Sequence, residues 1–290
     1  MTRKLEKSVH PVTIQTRINE LSSGRREALR QVLENPREFV LPSVRAAAAR
    51  LSIDPATLVR MVQRLGFENY RAFQNYLHDL SIANATSLDG MQNSDRKNSK
   101  DVDPLRVTME QDVKNLNEFY NGVDMLRFHA LARRIHSAQR VLILGGDLAE
   151  NLVHYFEHHL TLIGLPVLAA TAVGRTLHLS RNIGKGDLVI AISFRKGLRQ
   201  TVEGLQRARA NGAYCVGITG TYVSPIARFT DEFFVASVES RSFIDSYVAP
   251  MALVNLILVA CGNYKRKDTL RMLAEAAEEQ RHGFRWFDTE

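Results

Sequence analysis

The side chains best suited to chemistry stand close together in residues 43–67, SVRAAAARLSIDPATLVRMVQRLGF. At helical spacing Thr57, Arg60, Gln63 and Arg64 fall on one face. A hydroxyl, an amide and two guanidinium groups on one face are the donors that read base edges and phosphates. Ser43, at the start of the preceding segment, adds a second hydroxyl. This face implies contact with double-stranded DNA, although two short helices of this kind also occur in helical cores that bind nothing.

The other candidates lie in three loops further on. Gly145-Gly146-Asp147 combines glycines, which let a backbone approach a ligand, with a helix start that favours an anion. Ser193-Phe194-Arg195-Lys196-Gly197, followed by Arg199 and Thr201, offers a hydroxyl and two cations to a phosphate or carboxylate. The same residues would also make an ordinary solvated basic turn. Thr219-Gly220-Thr221, with Ser224-Pro225, either lines the same crevice or caps a short helix. His154 and His158 are one helical turn apart, a spacing that can bind metal, and His159 and His178 are nearby. No carboxylate motif completes such a site, so the histidines read as surface or packing groups. No metal and no cofactor is expected.

Elements must hold these side chains in place. Residues 14–82 read as helical. Ser22 or Ser23 caps a helix running to Asn35, and Pro36 and Pro42 bracket a short element. Ser43–Leu51 is an Ala-rich amphipathic helix, Ser52-Ile53-Asp54 a break, and Pro55–Gly66 a second helix. Asp54 caps that second helix and Pro55 fits its first turn. Ala46, Ala47 and Leu51 are expected to pack against Leu58, Val62 and Leu65. Two short helices joined in this way form a helix-turn-helix, whose second member enters the major groove. Tyr70–Leu80 gives a further helix. Residues 83–104 lose nearly all apolar content and read as a flexible linker.

Residues 105–290 have a different period. Helices are expected at Leu105–Tyr120 and Asp124–Ala138. Strands at Arg140–Leu144, Val167–Ala169, Asp187–Ser193, Tyr214–Thr219 and Glu232–Val235 then alternate with helices at Ala149–Ile163, Leu198–Ala210, Ser224–Phe229 and Tyr247–Cys261. The expected fold is an all-α helix-turn-helix domain followed by an α/β domain with a parallel sheet flanked by helices. Ligands of such sheets bind beyond the carboxyl ends of the strands.

Composition narrows the classes. At 45% hydrophobic and 24% charged residues, the 290-residue chain reads as a soluble globular protein of one or two domains. The apolar run 249–261 is too short to span a membrane, and the first ten residues have no signal-peptide core. Cys215 and Cys261 sit in apolar surroundings and read as reduced core thiols, so the expected location is cytoplasmic. The net charge of +7 is uneven: residues 1–80 hold 13 Lys and Arg against 8 Asp and Glu. Positive charge beside a helix-turn-helix suits a phosphate backbone.

The whole pattern over residues 20–260 resembles the RpiR-type bacterial transcriptional regulators. These join an N-terminal helix-turn-helix domain to a C-terminal sugar isomerase (SIS) domain. LENPREFVLPSVRAAAARLSIDPATLVRMVQRLGFENYRAF carries the resemblance in the first half, with Thr57, Arg60, Leu65, Gly66 and Phe67 on signature positions. Asp54 stands where the family usually has Ser. VLILGGDLAENL, LTLIGLPV, KGDLVIAISFRKGLRQTVE, GAYCVGITG and SPIARFTDEFFV follow the SIS order in the second half. Sugar-phosphate-binding members usually show Gly-x-Gly-x-Ser after the first strand and Ser-x-Ser-Gly-x-Thr after the later one. This chain has Gly145-Gly146-Asp147-Leu148-Ala149 and Ser193-Phe194-Arg195-Lys196-Gly197-Leu198, so only Ser193 of the usual hydroxyls survives. Either Arg195 and Lys196 bind an anion by charge instead, or Arg195 pairs with Asp147 and closes the site.

The resemblance implies a non-enzymatic regulator. Its DNA-binding residues would be Ser43, Thr57, Arg60, Gln63 and Arg64. Its effector site would use Gly145, Gly146, Asp147, Ser193, Arg195, Lys196 and Thr219. The partners implied are an inverted-repeat DNA operator, an anionic effector such as a sugar phosphate, and further copies of the chain in a homodimer or homotetramer. Two alternatives stand beside it: a sugar-phosphate isomerase with an accessory helical domain, and a regulator whose SIS domain only dimerises.

Overall fold

The computed structural model describes residues 17–18, 20–84, 87–88, 90–91, 103–195 and 197–281. The helical unit contains α1 (Ser23–Glu34), α2 (Arg37–Val40), α3 (Val44–Arg50), α4 (Pro55–Arg64) and α5 (Tyr70–Asn84). Two side-chain caps set the central pair. Ser43 Oγ accepts from the Ala46 N–H at 3.3 Å, and Asp54 Oδ1 accepts from Ala56 and Thr57 N–H at 2.8 and 3.2 Å. Ser52, in the turn between them, takes a left-handed φ of 53°, and Gly66 ends α4 at φ 96°. Leu58, Met61, Val62 and Leu65 pack with Ala47 and Ala48 in one core. Two expectations are corrected. Ala46 is exposed and Ala48 takes its place in the core, while Ser22 precedes α1 without a side-chain capping bond. Residues 87–88 and 90–91, inside the expected linker, are helical, and most of the remainder lies outside the described residues.

The second unit begins with α6 (Pro104–Gly122) and α7 (Met125–Ser137). Five strands follow: β1 (Val141–Leu144), β2 (Val167–Ala170), β3 (Leu188–Ile192), β4 (Tyr214–Thr219) and β5 (Glu232–Val235). Every pairing is parallel and the order is β2-β1-β3-β4-β5. Both faces of β1 and β3 are buried, so their sequences are apolar throughout rather than alternating. One face packs on α7, α8 (Ala149–Leu162) and α11 (Val248–Tyr264). The other packs on α9 (Val173–Asn182), α10 (Arg199–Ala210) and a 3-10 turn at Pro225–Phe229. A last helix, α12 (Arg266–Arg281), follows α11. Helices α9 and α12 were not expected from the sequence. No single described helix is long and apolar enough to cross a membrane.

One ion pair ties the entry of β1 to the entry of β3. Arg140 donates to Asp187 through Nε at 3.0 Å and Nη2 at 2.7 Å, and the Gly184 N–H donates to the same carboxylate at 2.9 Å. The Asp187 side chain is 1% exposed and that of Arg140 45%. Burial opposes the charge on Asp187, but the bonds from Arg140 and Gly184 outweigh it and hold the carboxyl below its usual value. Arg140→Ala is expected to cost about 2 kcal/mol, because it leaves a buried carboxylate with two donors fewer. The pair stabilises the fold fully above the unfolded carboxyl value and loses its effect as pH falls through the lower folded value. Urea melts should therefore separate parent and variant most at neutral pH and converge in acid. Equal midpoints at pH 7 would contradict this.

Candidate functional site

The strand order reverses its winding between β1 and β3, the point where the loops leaving an open parallel sheet diverge. A cavity of about 250 Å³ lies there. Gly146, Asp147, Leu148 and Ala149 from the end of β1 form one wall, and Ile192 to Arg195 from the end of β3 form another. Gly197, Leu198 and Thr201, Asp245 and Tyr247 complete it.

The loops show where backbone energy is spent. Only three described non-glycine residues have positive φ, and two of them line this cavity: Asp147 at 54° and Arg195 at 60°. A left-handed arginine costs on the order of 1 kcal/mol and persists only where its surroundings hold it. Here Asp245 holds it. Arg195 donates from Nε to Asp245 Oδ2 at 2.8 Å and from Nη2 to Oδ1, a bidentate pair with side chains 21% and 12% exposed. The expected alternative of an Arg195–Asp147 pair is thereby corrected. Asp245, fifty residues away on an irregular segment, is the partner, and Asp147 remains exposed at the cavity wall.

The rest of the lining is part apolar, part hydroxyl. Tyr247 sits edge-on to Phe194 with ring centroids 5.3 Å apart. Burial, with the carboxylates of Asp245 and Asp147 nearby, pushes the Tyr247 phenol well above its usual value, so it remains an O–H donor at neutral pH. Gly146 is required by close approach. A Cβ there would lie 2.8 Å from Leu198 Cδ1 and 2.9 Å from Gln200 Nε2, which donates to Thr171 O at 2.8 Å.

Of the expected effector residues, Gly146, Asp147, Ser193 and Arg195 meet at this cavity. Gly145 does not line it: it packs against Val153, where a Cβ would clash. Thr219 is fully buried, donates to Thr221 O at 3.4 Å and lies outside the lining. Lys196 lies outside the described residues. Thr201, named with the second loop, lines the cavity, whereas Asp245 and Tyr247 were not singled out as site residues. Asp245 and Tyr247 carry no spacing signal, because they come from a segment without regular structure. His154 turns to Glu150 and Glu157 on its own helix, at 3.4 and 3.3 Å. Burial, then the neighbouring His158, holds His159 below its usual value. Among the described residues no group of three His, Cys, Asp or Glu could hold a metal.

On the helical unit, Arg60, Gln63 and Arg64 are exposed along α4 and Thr57 is half-buried beside them. Arg60 Nη2 donates to Thr57 Oγ1 at 3.1 Å, so these two sit together at the N-terminal end of the face. Ser43 uses its oxygen as the cap of α3.

The SIS domain family matches residues 134–260, which span the sheet and its helices. Over that stretch the chain is similar to SIS domains. An HTH-type transcriptional regulator of Caldanaerobacter subterraneus is 22% identical over 252 residues, covering 85% of this chain and 88% of that protein. The HTH-type transcriptional regulator HexR of Pseudomonas aeruginosa is 24% identical, covering 74% of each. Among solved structures, the sugar isomerase domain of an RpiR transcription factor from Sphaerobacter thermophilus is 27% identical. It covers 60% of this chain and 98% of that one, with a TM-score of 0.57. The NanR protein of Vibrio vulnificus, complexed with ManNAc-6P, shares the fold at 19% identity and TM-score 0.59, over 92% of this chain and 96% of that one. The helical unit thus precedes the SIS match in this chain, and the two named relatives, aligned over 85% and 74% of it, are HTH-type transcriptional regulators.

Gly146→Ala should displace Leu198 and Gln200 into the SIS cavity and break the Gln200–Thr171 bond. The expected cost is about 1–3 kcal/mol by overpacking. Thermal unfolding of the variant checks it, and an unchanged midpoint would mean that the loop yields freely.

Proposed function

We propose that this protein is a DNA-binding transcriptional regulator whose SIS domain senses a phosphorylated sugar or a similar anionic metabolite. The observation that carries the first half is the exposed face Arg60-Gln63-Arg64, presented by a helix capped at Asp54 in a helix-turn-helix core. Named relatives that are HTH-type transcriptional regulators support it. The second half rests on the cavity at the strand-order reversal, with Arg195 at its wall and the hydroxyls of Ser193, Thr201 and Tyr247 around it. NanR, which shares the fold, is complexed with a sugar phosphate.

The division proposed is residues 14–82 for DNA, 83–104 for the connection and 105–290 for sensing and association. Catalysis is not favoured, because the named relatives that align over most of their length are transcriptional regulators and not isomerases. A SIS domain used only for association is not favoured either, because a cavity remains open beside Arg195.

A single helix-turn-helix reads few base pairs, so the operator is expected to be an inverted repeat bound by at least a dimer. Leu105, Met109, Val113 and Tyr120 expose an apolar stripe along α6, and Val259 on α11 is also exposed, which supports association. Sedimentation as a monomer at micromolar concentration, with and without operator, would refute it.

Arg60→Ala is expected to cost about 1–3 kcal/mol of operator affinity while leaving random duplex little affected. Arg64→Ala should weaken both alike if Arg64 meets only phosphate, and should lower the salt dependence. Gel-shift titrations on the two duplexes measure this. Unchanged operator affinity in Arg60→Ala would remove that residue from base reading.

A further inference from the structure

Resting on that reading of the SIS cavity, we propose that Asp245 occupies the seat on Arg195 that an anionic effector takes, and that the loop bearing it passes the exchange on to α6. The guanidinium already presents two parallel donors to a carboxylate. A phosphate is recognised by the same fork, so ligand and Asp245 compete for one set of donors. Charge points the same way. With Asp245 seated, the described charged groups of the lining are one cation, Arg195, against two anions, Asp147 and Asp245. An anion enters against that balance, and departure of Asp245 removes the opposition.

The loop that carries Asp245 has a second attachment. Residues 236–247 have no regular structure, and the Ser246 N–H donates to Val238 O at 3.2 Å, closing 238–246 into one short excursion. Its other flank is fastened to α6. Asn115 Nδ2 donates to Glu239 O at 2.7 Å, Arg241 Nε donates to Gln111 Oε1 at 3.1 Å, and Gln111 Nε2 donates to Asn115 Oδ1 at 2.9 Å. Gln111 and Asn115 are buried amides, so losing these partners leaves them unsatisfied. Val238 and Tyr247 root the two ends of the loop in the core, but at its tip Phe243 is 57% and Ile244 47% exposed. Between those ends polar contacts on two flanks hold it, with Arg241 and Asp245 four residues apart. A loop of this kind opens more easily than the sheet beneath it. Helix α6 is the first element of the sensing unit after the segment leading from the DNA-binding unit. An effector that binds only once Asp245 has left therefore favours a different setting of α6, which is the differential affinity that regulation requires.

The test uses the full chain, with inorganic phosphate and N-acetylmannosamine 6-phosphate as probes, in the parent and in Asp245→Asn and Arg241→Ala. Calorimetry should show Asp245→Asn binding inorganic phosphate about tenfold more tightly than the parent, because the competing carboxylate is gone. Without any ligand, amide exchange across residues 104–122 should be faster in Asp245→Asn than in the parent, with the sheet strands equally protected. Arg241→Ala should bind phosphate as the parent does, but exchange in 104–122 should no longer respond to it. Equal phosphate affinity in parent and Asp245→Asn overturns the competition, and unchanged exchange in 104–122 overturns the transmission. Should the strands of Asp245→Asn lose protection, Asp245→Ser replaces it under the same criteria. If the parent binds N-acetylmannosamine 6-phosphate and other hexose phosphates no more tightly than inorganic phosphate, the sugar-phosphate reading fails. The ratio between Asp245→Asn and parent still decides the role of Asp245.

Discussion

The reversal of strand order between β1 and β3 is the constraint on which the rest depends. A parallel sheet wound outward in both directions from that boundary sends the chain to one face after β1 and to the other after β3. The two connections part, and the backbone between them has nothing to pack on. Several unusual features of the SIS domain gather at that gap: a glycine too close to its neighbours to bear a Cβ, two left-handed residues, and a part-buried guanidinium–carboxylate pair. At the opposite end of the same two strands, Arg140 and Asp187 fasten their entries together. The sheet is thus locked at one end and adaptable at the other.

The helical unit follows a different economy. Its geometry is set by contacts a few residues apart, which is why it was so legible in the sequence. Ser43 and Asp54 cap from their own positions, Ser52 turns the chain between them, and the side chains of α4 divide cleanly into buried and exposed faces. The one packing error, Ala46 for Ala48, is a rotation within a run of four alanines, where size and polarity give no phase. The strands were equally legible, because burial on both faces makes them short apolar runs.

What the sequence hid has physical reasons. Helix α9 meets α10 through Thr176, Ser180 and Gly204, where a Cβ on Gly204 would lie 2.7 Å from Thr176 Cγ2 and 2.9 Å from Ser180 Oγ. Two helices that close against small polar side chains leave no apolar stripe to detect. Helix α12 buries Thr269 alone among its residues and exposes Leu270 and Leu273, so its apolar positions do not mark a core. The Arg195–Asp245 pair spans fifty residues and ends on an irregular segment, so neither period nor spacing foretells it. The sequence showed where a ligand loop would be and which cation it would carry. It did not show what that cation already holds.

The two cysteines have a practical consequence. Cys215 lies within β4 and Cys261 within α11, both fully buried, and burial pushes each thiol up to about 12. Only the thiolate attacks maleimides and iodoacetamides, and at neutral pH its share in either residue is on the order of one in 10⁵. Both sulfurs are also screened by the packing around them. The native chain is therefore a silent background for covalent labelling. A single cysteine placed on α4 or α6 would be the one reactive thiol. Fluorescent or spin probes there could then follow the helical unit and the SIS domain with both native cysteines kept.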